Sequence, residues 1–293
     1  MIYLLKFLRL ICKFYKFEYG KYSILYKIFF PIVRKLDNKQ VAIKVNKKYK
    51  MLLSLDEYIQ GHLFLFNSFE PQTEKIFHKF IKEGDIAFDI GANIGYMSLM
   101  MADCVGQNGF VFAFEPIQNN FKSLVNNISL NKFNNIRYFK LAISNTNSTI
   151  KIYKPLDNNQ GSYSMIVDPA KSNQEYEEVQ TTTLDDFVEQ KKIEAVNFIK
   201  IDVEGAEYEV IQGMHKTISK FRPIIFMEIN RPILQKRNIK PSDLKQLILN
   251  YQYICLKVDG KGNLEETPPN YHHNIDNVVF IPNEELSSLI QEF

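Results

Sequence analysis

The sequence predicts an α/β fold in which a mostly parallel sheet is covered by helices on both faces. From Asp85 onward, short apolar runs alternate with longer amphipathic stretches, which is the pattern of parallel strands joined by crossover helices. The first run passes directly into a glycine-containing turn and then a helical stretch, as in the first βα unit of a Rossmann-like sheet. Together the two observations favour one large sheet of this class.

Several apolar runs have the length and composition of strands in such a sheet. The seven predicted strands are Ile86 to Ile90, Phe110 to Phe114, Ile136 to Ile143, Val196 to Ile201, Ile224 to Ile229, Tyr253 to Val258 and Val278 to Ile281. The segment from Asn145 to Gln180 interrupts the alternation and holds two possible short strands, Thr149 to Tyr153 and Ser162 to Val167, around a turn at Asn158. Because it follows the third strand, we expect this excursion to lie over the functional site.

The residues before Asp85 are predicted to lead into the sheet. Strand-like alternation runs from Val41 to Leu55, and Pro71 opens a helical stretch that ends near Gly84. No internal repeat, low-complexity tract or glycine/serine linker divides the chain, so a second independent domain after residue 85 is not expected. We predict a basic extension over residues 1–55 and one domain over residues 56–293, with core motifs at 85–231.

Charge is unevenly distributed along the chain. The whole sequence has a formal charge of +3, but residues 1–50 contain 13 lysines and arginines and only two acidic residues, Glu18 and Asp37. This segment is therefore at +11 and the rest of the chain at −8. A basic head on an acidic body indicates an anionic partner, which could be lipid, nucleic acid or the body itself.

The first turns of the chain predict an amphipathic helix. Lys6, Arg9, Lys13 and Lys16 recur every three or four residues and would form one stripe, while apolar residues cover the other faces. Such a helix within residues 1–36 suits peripheral contact with a membrane, with its cations at the lipid phosphates. An ordinary helix docked on the body or on a second subunit is the alternative, and the oligomeric state is left open.

The cysteines and the apolar runs indicate the compartment. Cys12, Cys104 and Cys255 form no Cys-x-x-Cys pair, so neither a disulfide framework nor a zinc cluster is predicted, and a reducing cytoplasm fits best. No uncharged run reaches the roughly 18 residues that a membrane span needs, and no secretory cleavage site follows the first apolar stretch. We therefore predict a cytoplasmic protein, with peripheral contact at the inner face of the membrane as an option.

The turn after the first strand carries the strongest functional signal. Asp89 lies at the end of the strand, and Gly91, Asn93 and Gly95 follow before a helical stretch from Tyr96 to Ala102. Glycines in a strand-to-helix turn allow unusual backbone angles and close approach of a ligand, while the helix start presents free N–H groups. We predict that this turn binds a nucleotide-like cofactor.

The second strand ends in Glu115 and Pro116, and Glu115 lies twenty residues beyond Gly95. An acidic residue there accepts hydrogen bonds from ribose hydroxyls in dinucleotide enzymes, and the same geometry serves the ribose of S-adenosylmethionine. Asn93 distinguishes the two, because the dinucleotide fingerprint needs a bare glycine where the pyrophosphate passes. The sequence therefore favours S-adenosylmethionine, with Ala142 on the third strand as a further cofactor-binding candidate.

A run of charged residues ends the fourth predicted strand. Lys200, Asp202 and Glu204 lie at its carboxyl end, where ligands bind in open α/β sheets. Glu207 follows three residues later and is interpreted as an exposed residue on a helix face. The position of the first three residues predicts that they take part in the reaction.

These motifs closely resemble those of the FkbM-type methyltransferases, over about residues 56–231. The resemblance rests on residues 88–96, 114–116, 183–186, 199–207 and 227–229. It implies a class I, seven-stranded methyltransferase that uses S-adenosylmethionine and usually methylates oxygen on sugars or natural products. It also implies that Glu70, before Pro71, is an acidic residue of the cofactor site ahead of the first motif.

Methyl transfer from a sulfonium mainly requires that the acceptor be aligned and its proton removed. Asp202 is the first candidate for the base and Glu204 the second, with Lys200 or Glu228 orienting the acceptor. A metal-assisted variant, in which Asp202, Glu228 and Asn230 hold Mg²⁺ through hard oxygen ligands, is possible in principle but not favoured, and no metal site is predicted.

We therefore predict an S-adenosylmethionine-dependent O-methyltransferase that acts on a sugar or glycan-precursor hydroxyl. The alternatives are an NAD-dependent oxidoreductase, which Asn93 argues against, and a non-enzymatic membrane-associated binding protein, which the basic head motivates. Nucleic acid is not predicted as a partner, because an acidic body is unsuited to tracking a phosphate backbone. Acceptor choice is expected to reside in the excursion over residues 145–180 and in the lead-in segment.

Overall fold

The computed structural model describes residues 2–15, 20–154, 174–266 and 274–286. The strands of this part of the chain are β1 (Gln40–Val45), β2 (Tyr49–Ser54), β3 (Ile86–Ile90), β4 (Phe110–Phe114), β5 (Ile136–Phe139), β6 (Ala142–Ile143), β7 (Thr149–Tyr153), β8 (Tyr176–Thr182), β9 (Phe198–Ile201), β10 (Ile224–Asn230), β11 (Tyr253–Val258), β12 (Leu264–Glu266) and β13 (Ile275–Pro282). Its α-helices are α1 (Ile2–Cys12), α2 (Lys21–Ile24), α3 (Phe30–Val33), α4 (Tyr58–Phe66), α5 (Pro71–Phe80), α6 (Tyr96–Val105), α7 (Gln118–Ser129), α8 (Leu184–Gln190), α9 (Glu207–Gln212), α10 (His215–Phe221), α11 (Arg231–Lys236) and α12 (Pro241–Leu249). A π-helical segment, Leu25–Phe29, joins α2 to α3, and a 3₁₀ turn, Asn283–Glu285, follows β13.

Within the described residues, the largest sheet has eight strands in the order β12-β11-β13-β10-β9-β3-β4-β5. The five strands from β10 to β5 run parallel, and β13, β11 and β12 extend the sheet through antiparallel pairs. The predicted α/β class with a mostly parallel sheet is confirmed. The edge strand β12 is an addition to the predicted strands.

The predicted third strand is divided in the structure. β5 pairs with β4 at the edge of the large sheet, whereas β6 pairs with β8 in a three-stranded sheet of order β6-β8-β7. The prediction of one continuous strand over residues 136–143 was wrong, because the chain turns after β5 so that β6 can pair with β8. At this turn, Lys140 Nζ lies 3.2 Å from a carboxylate oxygen of Glu177 in β8. The predicted strand Thr149 to Tyr153 is β7, while Ser162 to Val167 and the turn before it lie outside the described residues.

The strand order reverses between β3 and β9. From β3 the sheet continues through β4 to β5 on one side, and the chain later crosses to β9 and β10 on the other side. The connections that follow β3 and β9 therefore leave in opposite directions and open a crevice at the carboxyl ends of these strands, which is where open α/β sheets bind ligands.

Residues of the central strands alternate between two apolar clusters, one on each face of the sheet. In β3, Ala87 belongs to the cluster with α5, α6 and the N-terminal segment, whereas Phe88 and Ile90 belong to the cluster with α8 to α12. Phe198 and Ile199 of β9 divide in the same way. Because both faces are apolar, these strands appear in the sequence as continuous hydrophobic runs, and helices cover both faces as predicted.

The lead-in segment packs against the body of the protein. The predicted alternation between Val41 and Leu55 forms the hairpin of β1 and β2, and α1 packs on α4. At this contact Arg9 donates hydrogen bonds to the Phe64 carbonyl oxygen and to Asn67 Oδ1, both at 3.0 Å. The extension therefore shares one apolar cluster with the large sheet.

The predicted cationic stripe of the first helix is divided by this contact. Arg9 points to the body, while Lys6 and Lys13 are exposed, and Lys16 lies outside the described residues. The sequence spacing was sufficient to group these side chains but not to show which of them docks. In the described part of the chain, every helix is too short or too polar to cross a bilayer.

Replacing the anchoring arginine should release the first helix. Arg9→Ala removes hydrogen bonds from a charged donor and should weaken the docking of α1 by about 2 kcal/mol. Because about 2 kcal/mol corresponds to a factor of roughly 30 in the opening equilibrium, we expect hydrogen exchange of the backbone amides in residues 2–15 to become roughly 30-fold faster. Lys6→Ala on the same helix is the matched control and should leave exchange unchanged. Equal exchange in Arg9→Ala and the wild type would contradict the anchoring role.

Candidate active site

The turn after β3 has a left-handed backbone at three positions. The φ angles of Gly91, Asn93 and Gly95 are 85°, 49° and 87°. A Cβ atom at Gly91 would lie 1.8 Å from the backbone oxygen of Asp202. The turns after β3 and β9 are therefore in contact, and only glycine fits at this position. Asn93 is among the residue types that tolerate this conformation best.

Glu115 follows β4 and is buried beneath the turn. Its Oε2 accepts a hydrogen bond from the backbone N–H of Asn93 at 2.8 Å, and its Oε1 accepts one from the N–H of Ile117 at 2.9 Å. Burial raises the pKa of Glu115 to about 7, while these bonds and one from Asn120 oppose the shift. The carboxyl group thus ties the turn to the loop after β4, and carboxylate oxygens can each accept a further bond.

Lys200 joins three parts of the site through its buried ammonium group. Nζ lies 3.1 Å from Asp89 Oδ1 and 3.6 Å from Asp202 Oδ2, and it donates a hydrogen bond to the Gly91 carbonyl at 2.9 Å. The Ser98 hydroxyl donates to Asp89 Oδ2 at 2.5 Å. Burial alone would lower the pKa of Lys200, but the neighbouring carboxylates outweigh it and hold the pKa above its usual value. Lys200 is therefore a charged tether between β3, its turn and the end of β9.

Glutamates from several elements surround Asp202. Burial raises the pKa of Glu70 and Glu207 to about 7 and that of Glu204 to about 8, and the charge of Asp202 adds to each shift. Burial and the same acidic neighbours hold the pKa of Glu228 well above its usual value. The site therefore contains an excess of acidic groups, several of which hold a proton near neutral pH.

Glu207 is buried, and its interpretation as an exposed helix residue was wrong. Only 2% of its surface is exposed, and its Oε1 accepts a hydrogen bond from the Gly205 N–H at 2.9 Å. This bond braces a tight turn in which Glu204 has φ 52° and Gly205 has φ 101°. A Cβ atom at Gly205 would lie 2.3 Å from Ile233 Cγ2, so the turn packs directly against α11.

The site residues border a cleft at the carboxyl ends of the strands. The cleft encloses about 850 Å³, including solvent at its mouth, which is within the range of small-molecule sites. Five predicted residues do not line the cleft. Asp89, Gly95 and Lys200 lie behind the turns that follow β3 and β9. Glu70 and Glu228 interact electrostatically with Asp202 and Glu204. The predicted residues that line it are Gly91, Asn93, Glu115, Pro116, Ala142, Asp202 and Glu204.

An apolar wall that the sequence did not predict completes the cleft. Ile59 comes from α4, Ile117 from the loop after β4, and Ile143, Ile150 and Ile152 from β6 and β7. The excursion therefore contributes to the cleft, as expected from its place in the chain. No motif marked these residues, because isoleucines of this kind are indistinguishable in sequence from core residues.

Asn127 of α7 is a supporting residue that sequence reasoning missed. Its side chain is fully buried, accepts a hydrogen bond from the Leu52 N–H at 2.8 Å and donates one to the Ile94 carbonyl at 2.9 Å. It thereby ties the turn after β3 to the N-terminal hairpin of β1 and β2. Its only signal in the sequence was a polar residue at an otherwise apolar helical position.

One of the residues considered as a ligand of Mg²⁺ has a structural role. Across the four described ranges, no group of three or more His, Cys, Asp or Glu side chains is placed to hold a metal ion. Asn230 instead caps α11 by accepting a hydrogen bond from the Ile233 N–H at 3.4 Å.

Comparison with known protein families shows which family this chain belongs to. The methyltransferase FkbM domain matches residues 89–255, a range that contains the turn after β3, Glu115 and the segment from Lys200 to Glu207. The chain belongs to the FkbM methyltransferase family. The resemblance inferred from the motifs is confirmed, and the sheet is that of a Rossmann-like methyltransferase.

Individual relatives are similar over part of their length. Hexuronic acid methyltransferase AglP of Haloferax volcanii is 25% identical over 57% of this chain and 62% of its own. Methyltransferase 1 of Beauveria bassiana is 30% identical over 43% of this chain and 57% of its own. The crystal structure of methyltransferase FkbM from Methylobacillus flagellatus KT has 16% identity and a TM-score of 0.44, over 75% of this chain and 52% of its own. The chain thus spans about three fifths of the length of these curated relatives.

Removing the buried cation should destabilise the fold. Lys200→Met leaves the buried charge of Asp89 without its partner and should lower the free energy of unfolding by about 3–5 kcal/mol. Adding Asp89→Asn should recover part of this loss in urea unfolding. Lys140→Met, which breaks an exposed pair, is the control and should change stability by less than about 1 kcal/mol. A double variant no more stable than Lys200→Met would show that the loss has another source.

The stability of the ligand-free protein should fall as the pH rises from about 5 to 8. Glu70, Glu115 and Glu207 keep their protons to about pH 7 and Glu204 to about pH 8, against 4.5 for an ordinary glutamate. The native chain therefore binds more protons than the unfolded chain in this window, and the free energy of unfolding decreases with pH.

Glu207→Gln should make this slope shallower, since Glu207 alone can contribute up to about 3 kcal/mol across the window. Denaturant unfolding at several pH values measures the effect, with the exposed Glu189→Gln as control. Stability that rises across the window in the wild type would contradict the account.

Proposed function

We propose that this protein is an S-adenosylmethionine-dependent O-methyltransferase that acts on a sugar hydroxyl. One observation supports the proposal most strongly. A left-handed turn, a buried acid at the end of the second parallel strand and an apolar wall all border one cleft at the switch point of the sheet. This combination suits an adenosine cofactor without a pyrophosphate.

The residues that line the cleft fit this cofactor. Gly91 and Asn93 would border its amino-acid end, and Glu115 would accept hydrogen bonds from its ribose hydroxyls. Apolar side chains such as Ile117 and Leu141 suit the faces of the adenine ring. When bound, the cofactor supplies an electrophilic methyl group on a sulfonium, and Asp202 provides negative charge that complements its positive charge.

The acidic surroundings also favour one kind of acceptor. An acceptor carboxylate would have to approach against the charge of Asp202, whereas a neutral hydroxyl can donate a hydrogen bond to the same acids. A relative named hexuronic acid methyltransferase supports a saccharide as the class of acceptor. We therefore assign methylation to a hydroxyl of the sugar and not to a carboxyl group.

Two acids of the cleft are candidates for the proton acceptor, and their charge partners differ. Asp202 lies 3.6 Å from the ammonium of Lys200. Glu204 lies among other acids, and burial together with their charge raises its pKa to about 8. Since a general base works best with a pKa near the working pH, we propose that Glu204 removes the hydroxyl proton and that Asp202 orients the acceptor.

Transfer to saccharides tests the proposed reaction. The wild type is incubated with methyl-labelled S-adenosylmethionine and a panel of neutral and acidic saccharides, and products are analysed by mass spectrometry. We expect a label that survives mild alkali, because a methyl ether is stable where a methyl ester is cleaved. Label lost in alkali would indicate a carboxyl acceptor. Cofactor binding without transfer to any saccharide would contradict the assignment of the acceptor.

Glu204→Gln tests the proposed base. The wild-type rate should rise with pH and level off above a midpoint near 8. The variant should lose this midpoint and about 10²- to 10⁴-fold in kcat, while its affinity for S-adenosylmethionine stays close to that of the wild type. Asp202→Asn is the comparison and should keep a midpoint but move it to lower pH, because the charge of Asp202 helps to raise the pKa of Glu204. A Glu204→Gln variant with the wild-type rate and pH profile would remove Glu204 from the proton transfer.

A further inference from the structure

The first helix exposes its apolar side to solvent. Leu5 and Cys12 face the body and are buried. On the other side of α1 and in the turn after it, six large apolar side chains are 53–80% exposed: Tyr3, Leu4, Phe7, Leu10, Ile11 and Phe14. Their helical spacing places them along one arc of the helix.

The segment that follows adds to this surface. Tyr22, Tyr26 and Ile28 are 40–62% exposed. Of the 14 exposed large apolar side chains in the described residues, nine therefore precede residue 29. These nine are called the N-terminal face. Single exposed apolar residues need no explanation, but a concentration of this kind marks an interaction surface.

The charge around the N-terminal face has one sign. Lys6, Lys13 and Lys27 are exposed beside it, and the described residues 2–15 and 20–36 contain no aspartate or glutamate. Arg9 does not contribute, because its guanidinium is bonded to the body. The surface therefore combines large aliphatic and aromatic side chains with cations.

We propose that the N-terminal face docks on an anionic lipid surface, with its apolar side chains in the acyl boundary and its lysines at the lipid phosphates. This is the composition of helices that lie in a membrane interface. A second copy of the chain fits less well, because a symmetric contact would bring the lysines of both copies together without acidic partners.

The helix α4 connects this surface to the cleft. Ile59 of α4 lines the cleft, and the Phe64 carbonyl near its other end accepts the hydrogen bond from Arg9 of α1. Docking through the N-terminal face would therefore hold the cleft close to the lipid surface. This inference stands independently of the proposed reaction, since binding to lipid requires no turnover.

Flotation of the full chain with lipid vesicles tests the proposal. One set of vesicles contains phosphatidylcholine alone and the other equal parts of phosphatidylcholine and phosphatidylglycerol. The wild type should float with the anionic set, less as salt is added. Phe7→Ser with Ile11→Ser should reduce the binding constant about 10- to 100-fold. Lys6→Glu with Lys13→Glu should reduce binding to the anionic set about tenfold or more.

A matched pair of changes outside the N-terminal face serves as the control. Tyr138 and Ile275 are 40% and 53% exposed, and changing both to serine should leave flotation unchanged. Circular dichroism of each variant establishes that it is folded. Failure of the wild type to bind anionic vesicles, or equal loss in both serine pairs, would overturn the proposal. So would a dimer seen by light scattering that Phe7→Ser with Ile11→Ser abolishes, since the face would then serve self-association.

Discussion

The geometry of the site depends on the contacts of one buried group, the ammonium of Lys200. Burying a lysine is costly unless carboxylates and hydrogen bonds surround it, and here Asp89, Asp202 and the Gly91 carbonyl do so. These partners belong to β3, the loop after β9 and the turn after β3. The contact therefore fixes the two turns that meet at the switch point, where a side chain at Gly91 would collide with the backbone of Asp202.

The same contact explains the electrostatics of the cleft. Lys200 compensates Asp89 and Asp202, but the glutamates around them remain in a mostly acidic environment, so burial and mutual repulsion raise their pKa values. Such a site suits a positively charged ligand, and we propose that it keeps Glu204 near the pKa of a useful base. Fold stability and chemistry are thus coupled through one set of charges.

The sequence was informative where a local pattern has one structural meaning. The strands β3, β4 and β11 were predicted with their observed limits, because each is a short apolar run bounded by turn residues. The contact between the turn after β3 and Glu115 was also foreseeable from spacing, since the geometry of a βα unit fixes the distance between them.

The remaining features depend on contacts between distant parts of the chain. The chain leaves the large sheet after β5 because β6 pairs with β8. The hydrogen bond that Asn127 accepts comes from Leu52, in the N-terminal hairpin. An acidic residue at the start of a helix has the same sequence pattern whether it is exposed or buried. The burial of Glu207 could therefore not be predicted from the sequence. For the same reason, the spacing of Lys6, Arg9 and Lys13 could not show that Arg9 alone turns inward.

Calorimetric titration of the wild-type protein tests the proposed binding of S-adenosylmethionine by the turn after β3 and Glu115. S-adenosylmethionine and NAD are each titrated into the full chain under the same conditions. We expect saturable binding of S-adenosylmethionine at one site per chain and no detectable binding of NAD. Tight binding of NAD without binding of S-adenosylmethionine would contradict it.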